Sequence, residues 1–286
     1  NFFIDREVAL YGSFAGTETA LSDRTETVMA AHPSILSGDI AGDDIDNDGN
    51  QVAESVEDIQ GSNSYHVVWI SGIGEASKSI VLDGFTITAG NADESGYPGG
   101  GGGGLVCDGR PEAGACNPRL SNLVFSGNNA AEFGGAVFLM APGGTSSPTL
   151  SKVKFLGNHS GDMGGAMLIM APWGDIGVGG SGAIAVSNTS ITDSIFRDNV
   201  ADSEGGAIHS WGGQTSSINV NIKRVMFQGN HGRAWGGALY GSNIGGVNDI
   251  EVHDSTFYYN RSLNGSAASG AEVNYRVFNS TFYGNW

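Results

Sequence analysis

The sequence predicts an all-β chain wound as a right-handed parallel β-helix, a solenoid in which each turn of chain stacks on the one before. Three observations carry that expectation. A Phe, an Asn three places on and a Gly-Gly-Ala starting nine places after the Phe recur together. They stand at FSGNNAAEFGGAVF (125–138), FLGNHSGDMGGAML (155–168), FRDNVADSEGGAIH (196–209) and FQGNHGRAWGGALY (227–240). The apolar runs on either side are short, rich in Val, Ile, Leu, Met and Phe, and bounded by Gly, Asn and Asp, as strands are. Glycine supplies 47 of 286 residues, and no segment sustains a helical period. Repetition on this scale means stacked supersecondary units. A unit of about 25–30 residues with two or three short strands suits one coil of a solenoid. Coils then lie about 4.8 Å apart, the spacing of hydrogen-bonded strands.

At 286 residues and 29.4 kDa the chain is long enough for one elongated domain. We read 1–286 as that domain, in three stretches. Residues 1–100 form divergent N-terminal coils carrying an acidic loop. Residues 101–120 form a Cys-bounded insertion, and 121–286 the repeat coils.

The first 60 residues hold 13 acids and two bases, which is −11 of the chain's formal −17. The centre is GDDIDNDGN, 42–50. Asp44, Asp46 and Asp48 alternate and are followed by Gly49, as at the start of a calcium loop. With Asp43 and Asn50 they make a candidate Ca2+ site, the single cofactor expected. Ser55 stands where such a loop carries its twelfth-position Glu, and no helices flank it, so it is not an EF-hand. A merely solvated acidic loop is the other reading.

The Cys-bounded stretch, CDGRPEAGAC, places Cys107 and Cys116 at the ends of a small polar loop. In an exported protein a disulfide is expected there; two free buried thiols are the alternative.

In the repeat coils each motif residue has a packing task. Phe125, Phe155, Phe196, Phe227, Phe257 and Phe282 are expected to point inward and stack, each offset pair adding about 0.5–1.5 kcal/mol. Asn128, Asn158, Asn199, Asn230, Asn260 and Asn285 are expected at a tight corner, in the left-handed region that Asn tolerates, each amide bonded to the next one coil away. The Gly pairs form a second corner, where a Cβ would clash. None of these repeated residues is expected to be catalytic, since repetition along a core is what packing needs.

The FxxN and GGA[ILV] pairing resembles the repeats of chlamydial polymorphic outer-membrane proteins and of related bacterial secreted β-helix proteins. VALYGSFAGTETALSDRT, ILSGDIAGDD, GSNSYHVVWISG and IVLDGFTITAGNA, all within the first hundred residues, resemble the N-terminal half of large bacterial surface β-helix proteins. The resemblance implies export to the cell surface or beyond, and a role as surface protein, adhesin or autotransporter-like passenger. A start at Asn1 agrees with a removed signal peptide.

The acidic balance argues against nucleic acid, which needs a basic footprint, and no apolar run approaches the ~20 residues of a membrane span. The connections after the Gly-Gly-Ala strands vary most: 141–148, 171–190, 210–217 and 241–249. Insertions at one point of each coil project on one side. Trp173 and Trp211 lie in two of them, and are read either as platforms for sugar rings or as caps on their own loops. One partner expected is a glycan or host-cell surface. The repeat stops at FYGNW without a cap, which is read either as flanking segments cut away or as ends that pair with further copies of the chain, joined end to end into filaments.

Enzymatic action on polysaccharide is the rival function. It needs paired carboxylates across a cleft, or a base with cationic residues to hold an acidic substrate. The bases are few and scattered, the six histidines show no metal spacing, and no nucleophile–base arrangement stands out. The expectation is a non-enzymatic structural or adhesive protein.

Overall fold

The computed structural model describes residues 1–72, 80–110, 114–171 and 184–286, which form a parallel β-helix. One coil shows the route. Val137–Met140 lies in a glycine-pair sheet, Thr149–Ser151 in an approach sheet, Lys154–Leu156 in a phenylalanine sheet and His159–Ser160 in a short sheet. Met167–Ala171 then re-enters the glycine-pair sheet beside Val137–Met140, in parallel. The first three sheets have eight strands each and the short sheet five, among the described residues.

The apolar runs that precede the ladder Asn include TLSKVKF (149–155) and NVNIKRVMF (219–227). The structure breaks both, at Lys152 (φ 55°) and Arg224 (φ 54°). The same left-handed corner recurs at Asn122, Asp193, Asp254 and Asn279. It separates the approach sheet from the phenylalanine sheet in every repeat coil. A left-handed residue with a Cβ costs about 1–2 kcal/mol, so the ladders on both sides must hold these corners.

The middle residue of each phenylalanine-sheet strand points inward. Phe125, Phe155, Phe196, Phe227 and Phe257 are buried, and their rings stack with Phe282 at centroid spacings of 5.1, 4.4, 5.1, 4.6 and 4.7 Å. In the first two coils Leu36 and Ile87 take the same column, paired in register with each other and with Phe125.

The asparagine column lies just beyond. The Nδ2 groups of Asn128, Asn158, Asn199, Asn230 and Asn260 donate to the Oδ1 of the next Asn, ending on Asn285, at 2.9–3.0 Å. Each Oδ1 also accepts from the backbone N–H of the Asn before it, as Asn199 does from Asn158 at 3.1 Å. Buried amides are thereby satisfied without water. One expectation is corrected. The left-handed residue is the one before the ladder Asn, namely Gly127, Gly157, Asp198, Gly229, Tyr259 and Gly284. The Asn is spared that conformation because its own N–H and side chain must both face the neighbouring coils.

The glycine-pair corner follows. Gly164 takes φ 67°, and a Cβ on Gly165 would lie 2.3 Å from the Gly206 carbonyl oxygen. The corner is that tight because the coils approach backbone to backbone.

The first coil belongs to the same solenoid. Phe2–Ile4, Ala9–Tyr11 and Ser34–Ser37 head the three long sheets. Two insertions leave this coil. Residues 12–33 make an arm with one short helix, α1 (Glu26–Ala31), whose Val28 N–H is capped by the Thr25 hydroxyl at 3.3 Å. The arm is tied down by Arg24, which is buried, ion-paired to Asp83, and lies 5.0 Å from the Phe14 ring centre. Residues 38–67 carry the acidic loop. It rests on later coils, and a Cβ on Gly127 or Gly157 would meet the carbonyl oxygens of Ala53 or Glu54 at 2.4 or 2.1 Å.

Candidate metal and ligand sites

The acidic loop closes on itself through an antiparallel bridge between Asp39 and Asn63. Within it Asp39, Asp43 and Asp44 lie together, with one carboxylate oxygen from each within 4.8 Å of the others. Asp44 also accepts from the Gln60 N–H at 2.6 Å and from Asn63 Nδ2 at 2.8 Å. Partial burial, with the charges of Asp39 and Asp43 beside it, raises the Asp44 carboxyl above the usual range despite those hydrogen bonds. Three hard oxygen donors of this kind suit calcium.

The structure divides the expected ligand set. Asp43 and Asp44 belong to the cluster, whereas Asp46, Asp48 and Asn50 turn onto their own loop. Asp46 accepts from the N–H groups of Gly49, Asn50 and Gln51 at 2.9–3.1 Å. Asp48 accepts from Asn50 Nδ2 at 2.9 Å, and the Asn50 side-chain oxygen accepts from the Val52 N–H at 2.6 Å. Alternate Asp residues suit a helix-flanked calcium loop; here they cap a turn. Asp39, which the sequence reading left out of the ligand set, joins the cluster through a local turn in which its carboxylate accepts from the N–H groups of Gly42, Asp43 and Asp44 at 2.6–3.3 Å.

Cys107 and Cys116 are bridged and buried, their Cα atoms 5.8 Å apart. Cys107 sits on the inner face of the glycine-pair sheet, in register with Leu139. Its task is internal packing, beneath the polar loop that made the pair visible.

Trp173 lies outside the described residues. Trp211 is half-buried on the outer face of the glycine-pair sheet, in register with Met170. That face carries a second apolar cluster of Val106, Phe138, Met140, Leu168 and Met170, against which Trp69, Tyr97 and Trp211 pack. Trp211 thus caps an apolar patch. Trp235, at the glycine-pair corner, is 42% accessible, and Trp286 in the last coil 68%.

The same outer face buries His209 completely. Nε2 pairs with the Ser242 hydroxyl at 2.9 Å, and the edge of the ring meets Tyr240. Nδ1 has no hydrogen bond and stands 3.7 Å from the Glu204 carboxylate. Burial pushes the imidazole down to about 3, so it is neutral at physiological pH and makes no ion pair with Glu204. Burial also raises Glu204, with Asp162 adding to the effect. An imidazole this hard to protonate cannot act as a proton donor near neutrality.

The Chlamydia polymorphic membrane protein (Chlamydia_PMP) repeat matches residues 122–139 and 193–210. Both matched stretches begin at the left-handed corner, at Asn122 and Asp193, and run through the Phe and Asn columns into the strand after the glycine pair. Fold and repeat together define a parallel β-helix repeat protein. Its repeat is similar to the PMP repeat over the two matched stretches, where the motif is spent on coil-to-coil packing. No curated protein and no solved structure matches the chain.

Proposed function

We propose that the protein is a non-enzymatic, surface-displayed β-helix whose rigid coils present variable loops to a glycan or a cell-surface partner. The observation that carries this reading is where the repeat residues go. The Phe and Asn columns from Phe125 to Asn260 are buried, so the motif that marks the family serves the scaffold. Chemical variety is left to the connections between the glycine-pair and approach sheets, at one corner of successive coils. The matched repeat is that of a membrane-protein family, which supports surface display.

The test replaces the exposed tips 214–215 and 244–245 separately with Gly-Ser, then measures binding of the purified protein to epithelial cells and to a glycan array. The expected result is loss of binding with an unchanged melting temperature. Cleavage of uronic-acid polymers by the unaltered chain, read as absorbance of unsaturated product, would replace this reading with the enzymatic one.

A further inference from the structure

We infer that the groove between the N-terminal arm and the phenylalanine sheet binds an amphiphilic organic anion, with an apolar body and a carboxylate or sulfonate head. The groove has a volume of about 560 Å³, within the range of small-molecule sites, which are mostly apolar with a few polar groups that fix orientation.

Its floor is built by outward positions of four successive coils, Thr86, Val124, Lys154 and Ile195, held in parallel register. Its wall is the arm, which contributes Met29 and Ala30 of α1 and then Pro33. Backbone groups of the floor are taken up by the coil ladders, so recognition falls to side chains.

Of the charged residues lining the groove, Lys152 and Lys154 face Glu26 and Asp193. Asp193 is neutralised by Arg224, which holds it with two bonds of 2.6 and 2.7 Å. Glu26 on the wall pairs across the mouth with Lys152 at 2.8 Å. Lys154 is exposed and forms no direct ion pair among the described residues, its charge acting on Glu26 from further off, so with Asp193 held by Arg224 the two ammonium groups share one carboxylate over an apolar floor. The chain has only four lysines against a net charge of −17, and two of them line this groove. The Glu26–Lys152 pair is solvent-exposed on both sides, and such pairs are weak. An incoming anionic head can therefore displace Glu26 and take both ammonium groups while its apolar body lies against Val124, Ile195 and Met29.

The experiment is calorimetric titration of the whole chain with laurate below its micellar concentration. Acetate tests whether the apolar body is needed, and dodecanol tests the charge. Laurate should bind once per chain and acetate not measurably, with dodecanol much weaker than laurate. Lys154→Glu should weaken laurate at least ~10-fold, as reversal of a contacting charge implies. Glu26→Gln should tighten it by about two- to five-fold, since it removes a weak competitor. Both changes are on exposed side chains, and circular dichroism checks that each variant folds. Absence of laurate binding overturns the inference. So does equal binding of dodecanol, or an affinity unmoved by both substitutions.

Discussion

The side-chain amide of Asn158 donates to the side-chain oxygen of Asn199, one coil further on, at 2.9 Å, and both residues are fully buried. That oxygen also takes the Asn158 backbone N–H at 3.1 Å. Asn199→Ala leaves both donors of Asn158 short of a partner, each at a cost of about 1–3 kcal/mol. Urea unfolding should show a clear fall in midpoint. Asn219→Ala removes a bond of equal length, to Asn188, on the exposed face, and should move the midpoint little. Equal effects at the two positions would contradict the assignment of the buried ladder.

Gly165→Ala should be far more damaging than Gly245→Ala. A Cβ on Gly165 would meet the Gly206 oxygen at 2.3 Å and the Val200 carbonyl at 2.5 Å, all backbone. At Gly245 the φ is +81°, but the nearest atom is 3.9 Å away. There the cost is only that of left-handed strain, about 1–2 kcal/mol. Thermal melts of the two variants check the ranking, with Gly165→Ala expected to lose the cooperative transition or most of its temperature.

His209 sets a pH dependence. Its folded pKa is lowered from 6.5 to about 3, so between those values the unfolded chain binds more protons. Stability therefore rises with pH through this window and levels off above 6.5. Inside the window the loss from this residue on acidification approaches about 1.4 kcal/mol per pH unit, and it levels off again below the folded pKa of about 3. Chemical unfolding at a series of pH values should show this slope, and His209→Gln should flatten it. A wild-type and variant that fall in parallel on acidification would rule out His209 as the source.

Calcium should raise the melting temperature, since a ligand that binds only the folded state stabilises by mass action. The rise should disappear in Asp43→Asn and in Asp39→Asn, and persist in Asp48→Asn, because Asp48 is spent on Asn50. Magnesium should do less, given its demand for a small octahedral shell. Scanning calorimetry with and without a chelator decides between this and a loop that is merely solvated.

The Phe, Asn and Gly columns are legible in the sequence because a solenoid asks for the same residue at the same point of each turn. Leu36 and Ile87 fill the Phe column unnoticed, since any apolar side chain of fitting size packs there. The corner at Lys152 and Arg224 is silent for a different reason. Neither residue type favours left-handed backbone; the ladders before and after the corner impose it. Asp39 is hidden because its approach to Asp43 and Asp44 depends on how the turn at 39–44 folds, with its carboxylate taking their N–H groups. The groove is hidden likewise: α1 and Lys152 are far apart in sequence and meet only because Arg24 fastens the arm to Asp83.

The ladder bonds between coils all run along the solenoid axis, from one coil to the next. A pull along that axis loads the bonds of every sheet at once, and a coil gives way only when they fail together. A pull on a loose end of chain meets them one after another. The protein should therefore resist stretching between two attachment points far better than it resists peeling, which suits an object anchored at one end and tugged at the other.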